Sequence, residues 1–144
     1  MLFGGYQHNI DKKGRVFIPS KLREELGTGF MICRGIYGKR CLCVYSAEEW
    51  DKLVAKIGTL PSAKSSAVKR FLYDGAFSID FDTQGRILIP PVLREYANLQ
   101  KDVVLVGVLS RVEIWDKDRW QENTYDEDEM DEIAEHMADL GFSI

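Results

Sequence analysis

DKKGRVFIP (residues 11–19) and DTQGRILIP (residues 82–90) are two near-copies of one phrase in a chain of 144 residues. Each places an Asp, a Gly and an Arg in a single turn, then an apolar run closed by Pro. Asp accepts hydrogen bonds from amides just after it, and Gly takes the positive φ that a tight turn requires. The likeness continues outward. At a shift of 71 residues Asp11, Gly14, Arg15, Ile18, Pro19, Leu22, Arg23 and Glu24 meet Asp82, Gly85, Arg86, Ile89, Pro90, Leu93, Arg94 and Glu95, and at a shift of 70 Trp50 meets Trp120. The unit is duplicated.

Each copy predicts the same order of elements. In the first, YQHNI and RVFI read as strands making a hairpin around the DKKG turn. SKLREELG reads as a helix stopped by Gly27, and FMICRGI and CLCVY as strands around the turn YGKR. SAEEWDKLVAKIG reads as a helix with a Ser46–Glu49 capping box and a core face of Trp50, Leu53, Val54 and Ile57. In the second copy AFSIDF and RILI flank the DTQG turn, PPVLREYAN is a short helix, DVVLVGVL and RVEIW are strands, and DKDRWQEN closes as a helix. The chain divides into a first repeat (1–60), a connecting helix (61–75), a second repeat (76–123) and an acidic C-terminal segment (124–144). A half of this size is marginal alone. The expected fold is therefore α+β: two tandem repeats with interleaved β-hairpins about a pseudo-two-fold axis, short helices packed outside.

Charge is unevenly spread. The net charge is −4, yet residues 121–144 carry nine acids and no Lys or Arg. That leaves 14 acids against 19 basic residues in the body, a net +5. Within the acidic segment Met130, Ile133, Ala134 and Met137 keep helical spacing, which predicts a helix docked on the body or a neighbouring subunit, with a flexible tail as the competitor.

Other classes fit less well. No apolar run approaches the ~18 residues of a membrane span. MLFGGYQHNID has no basic region followed by an apolar stretch, so the expected address is cytoplasmic. Cys33, Cys41 and Cys43 lack Cys-x-x-Cys spacing and read as buried thiols, and His8 and His136 lie in no ligand cluster. No phosphate loop, dinucleotide fingerprint, nucleophile elbow or zinc-protease motif occurs. Asp11 and Asp82 each have their own Arg in the loop, which holds them ionised and unsuited to acid–base work. Neither enzyme activity, cofactor, metal nor small-molecule substrate is expected.

What remains is the repeated loop. As a hairpin cap alone, an exposed Asp–Arg pair contributes about 0–1 kcal/mol, a weak reason for an Arg in both copies. An Arg on a rigid turn also presents a planar fork that matches phosphate or guanine. Arg15 and Arg86 are thus candidate DNA contacts. Lys12, Lys13, Thr83 and Gln84 are neighbours that serve either account, while Asp11, Gly14, Asp82 and Gly85 structure the loops. Arg23 and Arg94 read as solvated helix surface, Lys39 and Arg40 as a surface turn, and Trp50, Trp115 and Trp120 as core or interface anchors. Two small loops carry too few cations for strong binding by counterion release, so several protomers side by side are expected.

The Asp-x-x-x-Arg loops, each running into an apolar strand, Pro and LRE, together with VEIWDKDRW (residues 112–120), resemble the MraZ family over essentially the whole chain. The resemblance implies an AbrB-like swapped-hairpin barrel and a ring-shaped homo-oligomer. It implies a transcriptional regulator, a repressor, that binds double-stranded DNA at direct repeats in the promoter of its own operon in the division and cell-wall gene cluster. The address it implies is cytoplasmic and nucleoid-associated, and it gives Arg15 and Arg86 DNA-contacting roles. An oligomeric protein-binding scaffold and an antitoxin-type AbrB-like regulator are the alternatives.

Overall fold

The computed structural model describes residues 1–35 and 40–142. Its elements run β1 (Leu2–Asn9), β2 (Arg15–Phe17), α1 (Ser20–Leu26), β3 (Met31–Arg34), β4 (Leu42–Tyr45), α2 (Ala47–Ile57) and α3 (Ser62–Asp74). Then come β5 (Phe77–Ser78), β6 (Arg86–Leu88), α4 (Pro91–Tyr96), β7 (Asp102–Leu109), β8 (Val112–Asp116), α5 (Lys117–Asn123) and α6 (Glu127–Asp139). The architecture is α+β, with the repeats interleaved as a swapped hairpin.

The interleaving is visible in every ladder that crosses the halves. β1 runs antiparallel to β7 from Leu2↔Leu109 to Asn9↔Asp102, and the equivalent β5 pairs with β3 of the first half. β2 and β6 pair with each other, as do β4 and β8, so those two ladders lie on the pseudo-two-fold. The turn at residues 11–15 closes as expected, the Asp11 amide donating to the Arg15 carbonyl at 3.0 Å. The strands beside it differ from the sequence expectation: β1 and β2 do not ladder with one another but each takes a partner from the other half. A half cannot bury its own apolar positions, and exchange satisfies both. The resulting sheets have the orders β1-β7-β8-β4-β3-β5 and β2-β6.

The principal core draws matched residues from both copies: Val16, Ile18, Leu22 and Leu26 from one, Ile87, Ile89, Leu93 and Ala97 from the other, all buried. Burying a side chain of this size contributes about 1.5–3 kcal/mol. A second cluster gathers Cys33, Cys41, Cys43, Ile57, Leu72, Val104 and Trp115 with the half-buried Trp50, Leu53 and Trp120. The Ser46 hydroxyl caps α2 by accepting from the Glu49 amide at 3.2 Å. Val54 is half-buried but outside that cluster. Trp115 and Trp120 meet edge-on at 5.8 Å, as core anchors do.

Three further points bear on the sequence reading. The strand expected over AFSIDF shrinks to Phe77–Ser78, the two residues that ladder with Ile32 and Met31 of β3. The turn expected at YGKR lies, apart from Arg40, outside the described residues. α6 forms and is capped by Asp126, but none of its residues is buried, and Met130 and Ile133 are 47% and 37% exposed. It forms as a helix, and its apolar stripe is not buried against the body of this chain.

Candidate nucleic-acid interface

Each loop is built around its aspartate. In the first, Asp11 Oδ1 accepts from the amides of Lys13 and Arg15, both at 2.9 Å, and Oδ2 accepts from Arg15 Nε at 2.7 Å. In the second, Asp82 Oδ1 accepts from the amides of Gln84 and Arg86 at 2.9 Å, and Oδ2 from Arg86 Nε at 2.7 Å. Gly14 and Gly85 take φ of 88° and 80°, where a side chain would be strained. The arginine amide above all, aided by its side chain and the second amide, holds each carboxyl below its ordinary value, although partial burial opposes the shift. Both aspartates are therefore ionised anchors.

The consequence for the arginines is geometric. The aspartate engages only Nε, and among the described residues nothing bonds Nη1 or Nη2 of Arg15 or Arg86. Both terminal nitrogens of each fork remain available for a bidentate acceptor. In the β2–β6 ladder Arg15 faces Leu88 and Phe17 faces Arg86. Val16 and Ile87 alternate inward and are buried, so Arg15, Phe17, Arg86 and Leu88 share the outer face. The arginines stand on a diagonal, whose positions are about 7–8 Å apart in an antiparallel pair. Lys12, Lys13, Thr83 and Gln84 are all exposed at the loop tips.

One pair of residues differs from its sequence reading and another was missed. Arg23 and Arg94 are half-buried, not solvated: Arg23 Nη1 donates to the Ile18 carbonyl at 2.6 Å and Arg94 Nε to the Ile89 carbonyl at 3.1 Å. Each guanidinium covers the loop glycine of the other half, Arg23 over Gly85 and Arg94 over Gly14. The Ile18 amide donates to the Gly85 carbonyl and the Ile89 amide to that of Gly14, completing the exchange. The repeated LRE was the available signal. Phe17 and Leu88 were missed. They are 38% and 56% exposed between the two arginines, and Phe17 is held by His8 at 5.4 Å and by Arg23 above its ring at 5.1 Å. No signal marked them, because an apolar residue in a strand reads as core.

A tandem-repeat, swapped-hairpin chain that presents two aspartate-anchored arginines on one short ribbon is the class these features define. The family model described as "MraZ protein, putative antitoxin-like" matches residues 1–70 and again 72–141. The chain belongs to the MraZ family. It is 49% identical over 144 residues to the transcriptional regulator MraZ of Lachnoclostridium phytofermentans, covering 99% of both chains. It is 51% identical over 143 residues to that of a Thermoanaerobacter species (97% of this chain, 99% of the relative) and 47% identical over 144 residues to that of Pediococcus pentosaceus (98% and 99%). The family is one of transcriptional regulators, and the chain is not an enzyme. Among the described residues no helix is long and apolar enough to cross a membrane.

Proposed function

We propose that the chain binds double-stranded DNA through its two loops and regulates transcription as a repressor. Arg15 and Arg86 contact the duplex, Lys12 and Lys13 add charge toward phosphates, and Thr83 and Gln84 add neutral hydrogen bonds. Asp11, Gly14, Asp82 and Gly85 hold the loops. The observation that carries this reading is the pair of unengaged Nη forks on one ribbon face. The major groove is wide enough for a two-stranded ribbon, and an arginine fork suits guanine or phosphate there.

A single protomer offers too few cations for tight binding, so the binding unit is a ring-shaped homo-oligomer on direct repeats. Its site is the promoter of its own operon in the division and cell-wall cluster, and its location the nucleoid within the cytoplasm. Residues 1–60 and 76–123 form the two repeats, 61–75 joins them, and 124–144 is accessory to binding. Arg15→Ala and Arg86→Ala should each sharply weaken mobility shifts on DNA from upstream of its own gene, with circular dichroism and assembly size unchanged. Ordinary affinity in both variants would refute the assignment.

One observation favours a second reading. α6 displays Met130 and Ile133 among acids without burying them, a surface fit for a basic protein partner in a scaffold or an antitoxin-like complex. Removing residues 124–144 separates the two. The regulator keeps or gains DNA affinity as acidic repulsion of phosphates disappears, whereas a scaffold acting through the tail loses its partner.

A further inference from the structure

Away from the loops, Cys41, Cys43 and Glu113 converge. Cys41 immediately precedes β4 and Cys43 is its second residue, and Cys43 lies opposite Glu113 in the β4–β8 ladder. One ligand atom from each residue lies within 4.8 Å of the other two. Both cysteines are 5% exposed, at the edge of the second core cluster. Cys33 pairs with Cys43 across the β3–β4 ladder but stands outside this set.

Three observations separate this cluster from three buried side chains that happen to be near. First, both sulfurs close over a glycine: a Cβ at Gly35 would lie 2.9 Å from Cys41 Sγ and 3.6 Å from Cys43 Sγ. Second, the carboxylate is already oriented. Glu113 Oε2 accepts from Arg111 Nη2 at 2.8 Å and Nε at 3.2 Å, and Oε1 accepts from Trp115 Nε1 at 3.0 Å. Ligating carboxylates are held by such outer partners, and Oε1, with one bond from Trp115, keeps a second lone pair for a cation. Third, there is a way in: a cavity of about 250 Å³ reaches Cys43, its walls including Tyr45, Lys52, Lys56, Ser110 and Arg111.

We propose that Cys41, Cys43 and Glu113 form a binding site for a thiophilic divalent cation of the zinc class. Sulfurs in a tetrahedral zinc site stand roughly 3.8 Å apart, at about 2.3 Å from the metal, so the set closes with about 1 Å of side-chain movement. Of the three ligands Cys43 lines the cavity, and water entering there would complete the coordination. Charge decides the valence. Glu113 and Arg111 already cancel, and a divalent cation that replaces the two thiol protons leaves the cluster neutral, whereas a monovalent one leaves it negative. Binding is a proton exchange with no redox step: Zn²⁺ plus two Cys–SH gives the zinc bis-thiolate and two H⁺. A bound cation would tie β4 to β8 beside the end of β3.

The test uses the full chain, reduced with a phosphine and titrated with Co²⁺ and then Zn²⁺. One Co²⁺ per chain should bind with sulfur-to-cobalt charge-transfer absorption and the intense visible bands of a tetrahedral ion. Either ion should release two protons on binding the metal-free chain, and Zn²⁺ should then displace bound Co²⁺ with no further release. Cys41→Ala and Cys43→Ala should abolish this signal, and Trp115→Phe should weaken affinity roughly 10- to 100-fold. A pale, oxygen-coordinated cobalt spectrum, zinc uptake by the metal-free chain without proton release, or equal binding in folded Cys→Ala variants would overturn the site. The spectrum and proton count of the unaltered chain decide the question even where a variant fails to fold. Neither readout involves DNA.

Discussion

Gly14 and Arg94 are in contact although 80 positions separate them: a Cβ on Gly14 would stand 2.7 Å from the guanidinium carbon. Arg23 and Gly85 repeat the relationship from the other side. Each candidate DNA loop is therefore seated on a helix of the opposite repeat, and neither repeat can present its loop in this form alone.

Replacing Gly14 by Ala tests the seat. The residue has φ 88°, where a side chain costs about 1–3 kcal/mol, and the added methyl also strikes Arg94. Gly14→Ala should lower the urea midpoint of the full chain. Adding Arg94→Ala removes the steric part and leaves the strain. The double variant should thus show a coupling of about 0.5–3 kcal/mol in a mutant cycle, and simple additivity would show that the contact carries no energy.

Acid should loosen both loops. Asp11 and Asp82 have folded values below the ordinary 3.8, chiefly through the amides of Arg15 and Arg86. A depressed carboxylate stabilises the fold above its unfolded pKa and loses that contribution as pH falls through the folded one. The window lies below about pH 4. Carboxyl chemical shifts should titrate below 3.8 at both residues, and the Arg15 and Arg86 Nε protons should lose protection over the same range. Asp11→Asn should remove the first transition only.

Phe17 and Leu88 should tune which bases are preferred. Both are exposed on the face that carries Arg15 and Arg86, where an apolar side chain meets a thymine methyl. Phe17→Ala and Leu88→Ala are expected to change the ranking of operator variants by about 1–3 kcal/mol per affected base pair, at an unchanged salt slope. Lys12→Ala and Lys13→Ala should do the reverse, each lowering the slope by about 1 with ranking preserved. Identical effects from both sets would erase the distinction.

Much of the site was legible because it is local. Asp11 to Arg15 spans one turn, and every bond that anchors the arginine lies within it, so the spacing of Asp, Gly and Arg was sufficient. The periodic faces of α1, α2 and α4 were legible for the same reason. Strand partners were not. RVFI beside DKKG reads as half of a local hairpin, whereas β2 pairs with β6 across 71 residues. Arg23 and Arg94 looked like charged helix surface because the glycines they cover belong to the other repeat. Glu113 gave no sign of meeting Cys43, since only the β4–β8 register brings them together.

The sequence by itself determined the duplication, the element types, the two loops and the separation of a basic body from an acidic helix. These follow from backbone preference, hydrophobic period and charge, which act over a few residues. Only the tertiary structure decided that the repeats exchange strands, that each loop rests on the other's helix, and that α6 buries nothing. Those outcomes depend on which apolar surfaces find each other, and surfaces far apart along a chain become neighbours only when burial of the shared core outweighs the entropy of closing the loop between them.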